Sequence, residues 1–95
     1  MRSIHRTEII TQPATSSAAW SVRQDLREEL LDQIPELKED SAFDVAAEPR
    51  GTYIGVTVFV GTNLVEPVRH RSLNLERKFE DAGYPILISV RTGTN

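Results

Sequence analysis

The chain has 95 residues, 39% apolar and 26% charged, with a formal net charge of −3. That length suits one domain with one modest core, and a mildly acidic balance argues against a dedicated nucleic-acid binder, which carries a basic excess. Cysteine is absent, so disulfides, thiol nucleophiles and thiolate metal sites are excluded.

Met1 to Pro13 is too polar for a secretory leader, and no apolar run approaches ~20 residues. A cytoplasmic location without membrane contact is therefore expected. Residues 1–14 read either as a tail or as a short strand over Thr7–Thr11, and Gln12 to Ser17 as a linker. One domain is expected over residues 15–92, and residues 93–95 should be disordered, with fraying from Thr92 onward.

The first helix starts at Ser16, Ser17 or Ser21, all competent N-caps. Ala19, Val22, Leu26, Leu30 and Ile34 recur at spacings of three and four and mark one buried stripe, widened by Leu31. Pro35 ends the helix, because it pushes Ile34 out of the α region. The outer face carries an acidic ridge of Asp25, Glu28, Glu29 and Asp32, and Glu36 to Asp40 is a charged connection.

Phe43 to Glu48 alternates, with Phe43, Val45 and Ala47 inward, and Pro49-Arg50-Gly51 supplies the turn. Tyr53 to Val60 is the richest β-branched and aromatic run. Ile54, Val56, Val58 and Val60 share one face; Tyr53, Thr57 and Phe59 share the other. Such a strand belongs inside a sheet, antiparallel to the one before it. Gly55 within it marks a bulge or a close approach.

A second helix opens near Glu66 and Pro67, with Val68, Ser72, Leu75, Phe79 and Ala82 as its inner stripe. Gly83 and Pro85 close it. Ile86 to Arg91 is the last strand, with Ile86, Ile88 and Val90 inward, parallel to Tyr53–Val60 across the helical crossover.

The expected fold is thus α+β, a two-layer sandwich with an αββαβ core and both helices on one face of a mixed sheet. If residues 7–11 form a strand, the order becomes the ferredoxin-like βαββαβ.

Chemistry is sparse. His5 and His70 lie in different segments with no metal-ligand spacing, so no metal and no cofactor are expected. Ser72 lies two residues from His70, a spacing that points side chains apart on a helix. No catalytic residues are assigned, and the chain is read as a non-enzyme. Gly61-Thr62-Asn63 precedes a helix but lacks a phosphate-binding fingerprint.

Two surfaces remain. The outer sheet face should carry Tyr53, Thr57, Phe59, Leu87 and Ala46, bordered by Asp44, Glu48, Ser89 and Arg91, an apolar centre with a polar rim. The second helix carries Arg69, Arg71, Arg77 and Lys78, a possible nucleic-acid contact that Glu76, Glu80 and Asp81 would offset. Charge is also uneven, with nine acids to three bases between Ser21 and Glu48 and six bases to four acids between Pro49 and Arg91. The sequence reading is an interaction or regulatory module that binds a partner protein or itself through the open sheet face. The alternative is a small RNA- or DNA-binding domain.

Overall fold

A computed structural model describes residues 14–93. Two helices, α1 (Ser16–Gln33) and α2 (Val65–Asp81), lie against a three-stranded sheet of β1 (Asp44–Arg50), β2 (Tyr53–Val60) and β3 (Ile86–Thr92). The strand order is β1-β2-β3, with β1 antiparallel and β3 parallel to β2. The expected α+β sandwich is therefore present.

The ferredoxin-like order depended on residues 7–11, which lie outside the described residues. In that order an intervening strand splits the βαβ unit. Here β2 and β3 are hydrogen-bonded directly, so the unit is unsplit.

Thr15 caps α1, its hydroxyl accepting from Ala18 N–H at 3.0 Å. It therefore stands where three serines competed in sequence. Ala19, Val22, Leu26, Leu30 and Ile34 are all buried, as their spacing requires. The chain then makes a 3-10 turn, Pro35–Glu39, that buries Leu37. Three charged residues around it hide that residue in the sequence; its place three after Ile34 puts it on the same side as the helix stripe.

β1 continues through Pro49 and Arg50, two residues into the expected turn. Pro49 faces the outer edge of the sheet, where its missing N–H removes no ladder bond. The reversal is the two-residue Gly51-Thr52 loop, with Gly51 at φ 65, the position where a type II′ hairpin takes glycine. Gly55 makes no bulge, since the register runs unbroken from Asp44↔Phe59 to Arg50↔Tyr53. It is instead a close approach: a Cβ there would lie 3.2 Å from Arg50 Nε.

Ile54, Val56, Val58 and Val60 form the buried floor beneath both helices. From α2, Val68, Leu75 and Phe79 join them. Ser72 is also buried on this stripe, its hydroxyl donating to Val68 O at 3.0 Å. Ala82, expected there too, is the exposed C-cap of α2. Gly83 follows at φ 99, the left-handed residue that a helix end needs. Thr92 belongs to β3 rather than to a frayed end, and Gly93 N–H donates to Val60 O at 2.8 Å.

Candidate functional site

The helices cover one face of the sheet, and among the described residues the other is open. The register sets the open face in rows: Asp44, Phe59 and Arg91; Ala46, Thr57 and Ser89; Glu48, Gly55 and Leu87; then Arg50 beside Tyr53. Small side chains fill the second row, and in the third Gly55 stands between Glu48 and Leu87. The result is a trough of about 410 Å³, floored by Ala46, Gly55, Thr57 and Ser89 and walled by Tyr53, Arg50, Glu48, Leu87 and Arg91. The Glu48–Arg50 ion pair stiffens one wall, and Leu87 on the other is 55% exposed.

Of the five residues expected on this face, Tyr53, Thr57, Ala46 and Leu87 line the trough. Phe59 shares the face but lies six residues from Tyr53, roughly 20 Å along the strand, between Asp44 and Arg91. The two aromatics therefore do not converge. Period two assigns side chains to a face, but position along the strand decides which of them meet.

The basic residues of α2 do not gather either. Arg69 pairs with Glu66 at 2.9 Å, Lys78 pairs with Glu29, and Arg71 reaches Gln33 Oε1 at 3.5 Å. Arg71 and Lys78 face α1, whereas Arg69 and Arg77 lie on other sides of the helix, as 100° per residue requires. His70 is exposed and Ser72 buried, so the two do not meet. Gly61 N–H, the donor ahead of α2, is met by Asp40 Oδ2 at 2.7 Å.

A second groove, about 510 Å³, runs between the helices. The acidic ridge Asp25, Glu28, Glu29 and Asp32 forms one side, and Lys78, Phe79, Ala82 and Tyr84 form the other. The Lys78 ammonium bonded to Glu29 holds that carboxyl below its ordinary range; burial opposes the shift and the Gln33 amide assists it. Among the described residues, no group of three His, Cys, Asp or Glu side chains is placed to hold a metal ion. No helix among them is long and apolar enough to cross a membrane.

No protein family, curated protein or solved structure matches the chain. Its function must be argued from these surfaces alone.

Proposed function

We propose that the domain is a non-catalytic interaction module whose open sheet face receives a segment of a partner protein. One observation carries the reading: a sheet face uncovered among the described residues, with a floor of small residues, an aromatic at one end, an exposed leucine on one wall and charges at the rim. A floor without large side chains admits those of a partner, and aromatic and aliphatic anchors dominate such contacts. The alternative, nucleic acid on α2 and the sheet aromatics, has weaker support. Two of the four cations are paired with carboxylates, and the four are spread around the helix.

The test is site-specific photo-crosslinking in the native host from position 57, at the trough floor, with position 39 on the exposed 3-10 turn as control. The expected adduct is a protein, resistant to nuclease, and lost when Leu87→Asp is added. An adduct that nuclease removes would establish the nucleic-acid alternative. A yield from position 57 no greater than from position 39 would sink both uses of this face.

A further inference from the structure

An outermost strand directs half of its backbone donors and acceptors away from the ladder. The two ends of this sheet treat those groups differently. On β1 they belong to Val45, Ala47 and Pro49. The Val45 carbonyl accepts from Arg23 Nε at 2.6 Å, and its N–H donates to Asp44 Oδ1 at 2.9 Å. Pro49 has no N–H to offer. Ala47 N–H and the carbonyls of Ala47 and Pro49 have no partner among the described residues, but the bonded Val45 on one side and the proline on the other blunt that edge.

On β3 the outward groups belong to Ile86, Ile88, Val90 and Thr92. The ladder shows this, because Ile54 N–H donates to Pro85 O and Gly93 N–H to Val60 O, so the odd-numbered residues face β2. Among the described residues, Ile88 N–H is met by Glu76 Oε2 at 2.7 Å. Val90 N–H and the carbonyls of Ile88 and Val90 have no such partner among them. The side chains agree. Ile88 and Val90 point to the helix side but are only half-buried, while the matching residues of β2 are buried. Leu73, three residues before Glu76 on α2, is 71% exposed.

We propose that β3 pairs edge to edge with β3 of a second copy, antiparallel, giving one six-stranded sheet across a two-fold axis. This goes beyond the open-face reading and uses the sheet edge, which shares Leu87, Ser89 and Arg91 with the trough. The orphaned backbone groups call for a strand, and charge order selects a copy of this chain. With the axis at Ser89, Ile88 of one copy exchanges both backbone bonds with Val90 of the other. Leu87 then meets Arg91, and no like charges face each other along the strands.

The helices match as well. Arg69, Leu73, Glu76 and Glu80 stand on one line of α2 at helical spacing. Glu76 aims that line at β3 by reaching Ile88. Because α2 leads back from the end of β2 to the start of β3, it runs antiparallel to β3. At ~1.5 Å per helical residue against ~3.3 Å per strand residue, the axis crosses α2 near Asn74. Arg69 of each copy then lies opposite Glu80 of the other, with the two Leu73 side chains between. In the single chain the Glu76 carboxylate holds the place of the carbonyl that the neighbouring strand would bring.

Sedimentation equilibrium of the full chain across the micromolar range tests this, with circular dichroism as the folding control. The wild type should be dimeric. Val90→Pro removes an edge donor that β2 does not use, and should weaken the dimer by about thirtyfold or more. Arg69→Glu, on the surface, should weaken it roughly fivefold, and Arg69→Glu with Glu80→Arg should restore it. Tyr53→Ala, in the trough, should leave it intact. A monomeric wild type would overturn the pairing, whatever strand then covers the edge. So would a dimer that Tyr53→Ala dissociates and Val90→Pro does not, and that result would assign self-association to the open face.

Discussion

Asp40 shows what single residues do here that spacing along a chain does not reveal. Its two carboxylate oxygens accept from Ala42 N–H at 2.9 Å and Gly61 N–H at 2.7 Å. It thereby ties the entry to β1 to the exit from β2, across twenty-one residues of sequence. In sequence Asp40 is one acid in a charged connection, since no local pattern records a cap made at that distance. Thr15 was hidden for the opposite reason: three neighbouring serines satisfy the same rule, and geometry chose among them. Asp40→Ala strands two partly buried donors, which should cost about 1–3 kcal/mol. Thermal denaturation should show a fall of several degrees, with Asp40→Asn between the two. An unchanged melting temperature would mean that water replaces both bonds without loss.

Helices and strands were legible because their periods differ. A stripe at three and four marked α1, alternation marked β2, and the buried residues follow both patterns. Boundaries slipped where a local rule met a tertiary exception. Pro49 reads as a turn but sits on an outer edge that tolerates it, and Leu37 reads as loop but completes the core. The assignment of faces on β2 leads to a paired test. Val58 is fully buried between the helices and the sheet neighbours, so Val58→Asp leaves an unpaired carboxylate in the core and should abolish folding. Thr57 is half-buried on the open face, and Thr57→Asp should leave the fold intact with a modest loss of stability. Circular dichroism melts of the two variants make the comparison. Equal damage would mean that the second face of β2 is also covered.

At the scale of the molecule, two layers make one core and, among the described residues, leave one sheet face and one edge exposed. The strand order follows from a tight hairpin and a helical crossover, both visible in the sequence. The free edge does not, because Ile88 and Val90 look like core residues until β3 proves to be outermost. Nor does the trough, which needs the register that sets Ala46, Thr57 and Ser89 side by side. The core bears on what precedes it. Ala14 already packs against the core, and its N–H donates to Gly51 O at 2.8 Å. The helix N-cap follows at once, and the described residues alone bury Ile54, Val56, Val58 and Val60 on the helix side of the sheet. Deleting residues 1–12 should therefore shift the melting temperature by no more than a few degrees, about 0.5 kcal/mol or less. Calorimetry of the shortened and full chains decides it. A loss of several kcal/mol would place Thr7–Thr11 in the sheet as a fourth strand. Sedimentation of the same pair would show whether that strand and a second copy compete for β3.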